Sequence, residues 1–212
     1  MRNLFFTACT FFLLFSCDKG KTVAKADSDK TDSLTNEEWK PVDSATATKA
    51  WIEYATPGEM HKMLAKSDGN WSGENTMWME NGGKPMISQS EVTNKMVLDG
   101  RYQVSNHKGN FMGMPFEGMS ILAYDNSKKK FVSTWIDNMG TGIMNMEGDW
   151  NPSTKSIEFK GKMTDPSRPG KDCEVREVFT FVDDNTQKME MYGPDSKTGK
   201  EFKTMEIKFT KK

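Results

Sequence analysis

The sequence predicts an all-β domain: an antiparallel, meandering β-barrel of about ten strands with a short N-terminal capping helix. After residue 70, apolar and polar residues alternate with a period of two, which is typical of strands with one buried face. These segments are short and are separated by turn-forming residues, with no helical pattern between them, so neighbouring strands should pair antiparallel. Closure into a barrel would remove exposed edges; a two-sheet sandwich is the alternative.

The alternation is clearest in two segments near the C-terminus. Glu158 and Lys160 flank Phe159, and the segment around Ile207 alternates in the same way. Turn sequences such as Asp99-Gly100 separate the segments. We expect strands near residues 71–80, 86–97, 100–108, 116–124, 130–138, 142–150, 155–163, 173–183, 187–193 and 202–210.

A short helix is predicted directly before the first strand. In Thr56-Pro57-Gly58-Glu59, the threonine fits an N-cap, the proline fits the first helical position, and the glutamate lies three residues after the cap. Met60, Met63 and Leu64 then share one face at helical spacing, and Gly69 would end the segment. This helix would cap one end of the barrel.

The N-terminus has the pattern of a secretion signal. Arg2 precedes an apolar stretch, residues 4–16, which is too short to span a bilayer as a helix because that needs about 20 apolar residues. Its end, Leu14-Phe15-Ser16-Cys17, resembles the bacterial lipobox. The resemblance implies that residues 1–16 are removed and that Cys17 carries diacylglycerol and an amine-linked acyl chain such as palmitate. Several acyl chains together would anchor the protein to a membrane.

The lipobox therefore predicts that the protein is localised in the cell envelope, at the periplasmic face or the outer membrane of a Gram-negative-type bacterium. Residues 17–55 would form the lipidated cysteine and a disordered tether, because residues 18–50 are rich in polar and small side chains. A flexible chain of this length spans on the order of 30 Å. The alternative is a docking segment around Trp39 and Trp51. Residues 56–212 would form the barrel domain.

The composition restricts the function. The chain has 29 basic and 30 acidic residues, so no basic excess indicates nucleic-acid binding. Only two histidines are present, and Cys173 is the one cysteine outside the leader and the lipid site, so we expect no intramolecular disulfide, no metal site and no cofactor. Methionine is abundant, with 17 residues.

Two sets of residues resemble known families. Gly69-Asn70-Trp71, after a short helix and at the start of strand one, resembles the G-x-W signature of lipocalins. A second, more specific set of motifs resembles the bacterial lipocalin-like family of unknown function 1579, over about residues 57–212. These motifs are Met77-Trp78-Met79-Glu80, Met112–Gly118, Thr134-Trp135-Ile136-Asp137, and Glu201-Phe202-Lys203 leading to Met205-Glu206-Ile207. The resemblance implies a lipocalin/calycin-like barrel and no established activity. In lipocalins a late basic residue packs over this tryptophan; Lys208 or Lys211 would do so here, unless both are solvated.

Four pairs of methionines stand two residues apart, and residues two apart on a strand face the same side. They could fill the barrel, line an adaptable apolar cavity, or bind Cu(I) through their thioethers. The pairs are Met77/Met79, Met112/Met114, Met144/Met146 and Met189/Met191. By strand parity, the candidate ligand-lining residues are Trp78, Met119, Trp135, Met144, Phe159, Met189 and Met205.

The sequence contains no G-x-S-x-G, H-E-x-x-H, C-x-x-C or phosphate-loop motif, so an enzyme is not the expected class. The alternative within this class is acid–base chemistry by Asp137, Glu147 and Asp149 near His107. Residues 112–115 would form a loop over the barrel end, either a tucked turn or an apolar gate.

The leading hypothesis is a membrane-anchored lipoprotein that binds a small lipophilic ligand inside the barrel. The alternatives are a filled barrel that contacts another envelope component, and a soft-metal carrier or enzyme. An interior void of several hundred Å³ favours ligand binding over the filled barrel.

Overall fold

The structure, a computed structural model, describes residues 39–212 and has ten antiparallel strands that close into a barrel. Each strand pairs with its neighbours in the chain, and the first pairs with the last, so the predicted meandering barrel is confirmed. The strands are β1 Gly69–Met77, β2 Met86–Val97, β3 Tyr102–Phe111, β4 Met114–Asp125, β5 Lys130–Asp137, β6 Met144–Asn151, β7 Ser156–Thr164, β8 Asp172–Asp183, β9 Thr186–Pro194 and β10 Glu201–Lys211.

Closure depends on the pairing of β1 with β10. Their register runs from Trp71 opposite Lys211 to Met77 opposite Met205. Because every strand then has a partner on both sides, no strand edge is left open for another chain. Side chains alternate as expected: Ile207 is buried while its neighbour Lys208 is exposed.

Tight turns set the strand register. Met112 and Gly113 both have positive φ, 52° and 85°, and form a two-residue connection between β3 and β4. The expected four-residue loop at 112–115 is therefore shorter, because Met114 already belongs to β4. Met112 is 66% exposed at the tip of this turn, so the turn is not tucked against the barrel.

A short helix, α2, Glu59–Ala65, covers one end of the barrel, where the sequence predicted a cap. Leu64 is fully buried at the centre of the packing between α2 and the strands. The Gln103 side-chain amide donates to the Leu64 carbonyl at 2.8 Å, and the Trp71 indole donates to the Ser67 carbonyl at 2.8 Å. These two bonds attach the C-terminal end of α2, and the residues that follow it, to β3 and β1.

The start of α2 differs from the expectation. Its N-cap is Gly58 rather than Thr56, and the Gly58 amide donates to Nδ1 of His61 at 3.0 Å. The Thr56 hydroxyl donates instead to the Ile52 carbonyl of a preceding helix, at 2.7 Å. Thr56 therefore ends one helix and does not begin the next.

That preceding helix, α1, Ser44–Ala55, corrects the expectation that residues 17–55 are disordered up to the barrel. Asp43 caps it by accepting from the amides of Ala45 and Thr46. Overall composition predicted disorder, but this segment is locally rich in alanine and carries an N-cap, both of which favour a helix. The predicted signal peptide, residues 1–16, the predicted lipid site Cys17 and residues 18–38 of the predicted tether lie outside the described residues.

The tryptophan of the G-x-W motif lies where β1 meets β10. Trp71 is 1% exposed, and Nζ of Lys211 lies 5.4 Å from the centroid of its ring. The Lys211 ammonium also donates to the Lys66 carbonyl at 3.0 Å. Gly69 has a φ of +122°, and a Cβ there would lie 3.4 Å from Cε of Lys211. Of the two candidate lysines, Lys211 is the one over Trp71, while Lys208 is exposed.

Neither helix in residues 39–212 is long and apolar enough to cross a bilayer.

Candidate functional site

The barrel encloses a cavity of about 540 Å³ whose lining runs from Gln103 and Gln187, near α2, to the opposite end of the barrel. Apolar side chains dominate its wall, with a few serines among them. The mouth is bordered by the end of β3, the start of β4 and the connection between β5 and β6, including Phe111, Phe116, Met139 and Ile143.

Five of the seven residues predicted to line a ligand cavity do border it: Trp135, Met144, Phe159, Met189 and Met205. They come from five different strands, so the alternation places them together although they are far apart in the chain.

Trp78 and Met119 do not line the cavity, and their assignment was wrong. Trp78 follows the end of β1, next to the inward-facing Met77, so it faces the other way; Nζ of Lys203 lies 5.5 Å from its ring centroid. Met119 lies opposite Ile136 on the outer face of β4, since its neighbour Ser120 lines the cavity. Next to Met119 the inner positions are Gly118 and Ser120, whereas Ile121 shares its outer face, so hydrophobic alternation indicated the wrong face.

Of the four methionine pairs, only Met144/Met146 and Met189/Met191 have both members on the cavity wall. Met79 lies beyond the end of β1 and is 65% exposed, and the pair at 112 and 114 spans the exposed β3–β4 turn. The turns break the alternation on which the pairing argument depended.

Three cavity-lining methionines stand side by side on adjacent strands. Met191 of β9 is opposite Met205 of β10, and Met205 is opposite Met77 of β1. Residues directly opposite on antiparallel strands point to the same face, with Cβ atoms about 4.5–5.5 Å apart. We call these three residues the methionine row; it gives one side of the cavity a flexible, polarisable surface.

Trp135 forms part of the wall opposite the methionine row. Its indole donates to Oδ2 of Asp137 at 2.7 Å, and its ring meets that of His107 edge-on at 5.0 Å between centroids. Gly118 makes this position possible, because a Cβ there would lie 2.5 Å from the indole ring. Burial lowers the pKa of His107 to about 4, so its imidazole is neutral at pH 7.

Glu177 is the cavity residue that the sequence reasoning missed. It lies in the middle of β8, between Phe159 of β7 and Met191 of β9. The cavity reaches part of its side chain, but protein surrounds it, and this burial raises the pKa of the carboxyl to about 7. Within residues 39–212 it makes no salt bridge and no side-chain hydrogen bond. The signal was present in the alternation of β8, where Glu177 occupies the inward position between Val175 and Phe179.

The proposed acid–base cluster is not assembled. Glu147 and Asp149 lie on the outer face of β6, where their carboxylates approach Lys128 at 3.5 Å and Lys130 at 2.8 Å. Of the three carboxylates, Asp137 alone lines the cavity. Charged strand residues usually face solvent, and these two do so.

No group of three or more His, Cys, Asp or Glu side chains within the described part of the chain is placed to hold a metal ion. Cys173 is a free thiol near the mouth end of β8, and burial raises its pKa, which disfavours the reactive thiolate.

Comparison with known proteins agrees with the resemblance carried by the strand motifs. No curated protein matches the chain. Residues 56–211, which include α2 and the barrel strands, match the model of a protein family. The chain therefore belongs to the family described as "Protein of unknown function (DUF1579)".

Proposed function

We propose that this protein is a lipid-anchored binding protein that holds a small lipophilic molecule inside its barrel in the cell envelope. The observation that carries the proposal is the cavity of about 540 Å³, whose wall is mainly apolar. Ligand pockets typically measure about 300–1,000 Å³ and combine an apolar lining with a few polar groups. A barrel that served only as a filled scaffold would have side chains in this space.

The membrane localisation in this proposal depends on the lipobox that ends at Cys17. Cys17→Ser in the full-length chain would remove the thiol that accepts diacylglycerol. We expect this variant to move from the membrane fraction to the soluble fraction of cells and to lose labelling by a fatty-acid tracer. Unchanged fractionation and labelling would contradict lipid anchoring without affecting the proposal for the cavity.

Ligand binding is tested by filling the cavity. Ser133 lines it, whereas its neighbour Thr134 points outward from the same strand and hydrogen-bonds Asn145 at 2.8 Å. With a naphthylamine dye whose fluorescence rises in apolar surroundings, we expect Ser133→Phe to abolish binding and Thr134→Phe to preserve it. Equal dye binding by both variants, with both folded by circular dichroism, would contradict a site inside the barrel.

The methionine row favours a second candidate function, a carrier of a soft metal ion such as Cu(I). Thioethers suit soft metals, and Met77, Met191 and Met205 come from adjacent strands. The test is a Cu(I) titration against a competing chelator, with Met205→Leu as the variant. Failure of the wild-type protein to withdraw Cu(I) from the chelator would reject this function.

A further inference from the structure

The charged groups that face the cavity are of one sign. Among the described residues that line it, Asp137 and Glu177 are acidic, His107 is the one other titratable side chain, and none is Lys or Arg. The Asp137 carboxylate already accepts from the Trp135 indole and the Met139 amide. Glu177 therefore provides the carboxyl that is free to meet a ligand.

The surroundings of Glu177 do not supply a counter-ion. Its inward neighbours on β8 are Val175 and Phe179, and the adjacent strands place Phe159 and Met191 beside it. His107 lies on β3, five strands away in either direction around the barrel, and Asp137 on β5 repels an anion. The next residue in the chain, Arg176, points outward and binds Glu201 at 2.7 Å.

A half-buried carboxyl that faces an apolar cavity without a partner is unfavourable as an anion, because it loses part of its hydration and gains no counter-ion. A ligand ammonium would supply both a counter-ion and a hydrogen-bond donor to the Glu177 carboxylate. Hydrogen bonds between charged groups are short and roughly twice as strong as neutral ones. A ligand carboxylate would instead put a second negative charge into a space without a cation.

We propose that the ligand is an amphiphilic amine: a molecule with one protonated nitrogen that binds the Glu177 carboxylate, and an apolar body that packs against the methionine row. This deepens the proposed function and rests on it, since it requires that the cavity binds a lipophilic molecule at all. The methionine row is adjacent to Glu177 through Met191, so one elongated molecule would contact both.

The test uses three probes with the same alkyl chain, dodecylamine, dodecanol and dodecanoate, each below its micelle concentration. Affinities for the full-length protein are measured at pH 8 by displacement of the naphthylamine dye. We expect the amine to bind at least about 10-fold more tightly than the alcohol, and the carboxylate to bind most weakly, because an ionised Glu177 attracts the first and repels the last.

Glu177→Gln keeps the size of the side chain and removes its charge. We expect this variant to bind dodecylamine no more tightly than dodecanol. The matched control is Glu174→Gln, the same substitution on the same strand but on the exposed outer face, where Glu174 approaches Lys162 at 3.3 Å. The control should behave as the wild type.

A second measurement needs no variant. An amine bound to Glu177 keeps the carboxyl ionised, so binding at pH 7 should release protons, which titration calorimetry detects as enthalpies that differ between two buffers. Dodecanol binding as tightly as dodecylamine would overturn the amine proposal, and the proposed function would stand. If none of the three probes displaced the dye and the dye itself did not bind, the proposed function would fail as well.

Discussion

Glu177 should lower the stability of the barrel in a way that depends on pH. The carboxyl has a pKa of about 7 in the folded protein, against an ordinary value of 4.5. The folded state thus holds its proton more tightly than the unfolded state. The contribution of this carboxyl to the free energy of unfolding is therefore most favourable below pH 4.5, falls as pH rises toward 7, and is constant above that range.

The magnitude follows from the size of the pKa shift. A difference of about 2.5 pKa units corresponds to about 3 kcal/mol in total, of which about 2.5 kcal/mol is lost between pH 5 and pH 8. Glu177→Gln cannot ionise, so the wild type should lose about this amount relative to the variant over that interval. The pH dependence of other groups, including His107, cancels in the comparison.

The assay is urea unfolding of the two proteins at pH 5 and pH 8, followed by circular dichroism, with Glu174→Gln as the control. The free energy of unfolding of the glutamine variant relative to the wild type should increase by about 2.5 kcal/mol from pH 5 to pH 8, and that of the control should not change. A change below about 0.5 kcal/mol would show that water or a neighbouring group stabilises the carboxylate, and would refute the reasoning about its burial.

Three further changes have expected outcomes. Gly118→Val should displace the ring of Trp135, since even a Cβ would lie 2.5 Å from it, and should change tryptophan fluorescence and weaken dye binding; an unchanged spectrum would contradict this packing. The pKa of His107 is lowered to about 4, so the wild type should lose about 3 kcal/mol of unfolding free energy relative to His107→Gln as pH falls from 7 to 4, measured by urea unfolding. Parallel pH dependences of the two proteins would mean that burial does not lower the pKa of this imidazole. Gln103→Leu should remove the side-chain donor to the Leu64 carbonyl, which still accepts from the Ser67 amide at 2.9 Å, and should destabilise the barrel by about 0.5–1.5 kcal/mol in the same assay; a neutral result would mean that water replaces the bond.

The N-terminal segment shows where composition misleads. Residues 18–50 are polar on average, and from that average we expected a tether without structure, yet Ser44–Ala55 is helical. The local signals were Asp43 at the N-cap and the alanines that follow it. The side-chain amide of Asn126, in the β4–β5 turn, donates to the carbonyls of Glu53, Tyr54 and Thr56. That contact depends on tertiary structure, so no local pattern contained it.

The candidate site shows a similar division. Phe159 and Met205 were placed on the cavity wall by parity alone, because polar neighbours mark the outer face of their strands. Met119 was misplaced because its strand carries Gly118 and Ser120 on the inner face there and apolar residues on the outer face. Glu177 was passed over because a charged residue on a strand normally faces solvent. Its inward position becomes evident only when the alternation of β8 is applied to every residue, including the charged one.

The sequence by itself determined the number and order of the strands, their antiparallel pairing and the position of the capping helix. Each of these follows from side-chain periodicity and turn residues, which are local properties of the chain. Tertiary structure alone decided that the barrel closes between β1 and β10, that its interior holds a cavity rather than packed side chains, and that an unpaired carboxyl faces this space. These features depend on side chains from ten strands that are far apart in the chain but meet inside one barrel. The cavity volume is the small difference between the volume that the strands enclose and the volume of the side chains that point inward.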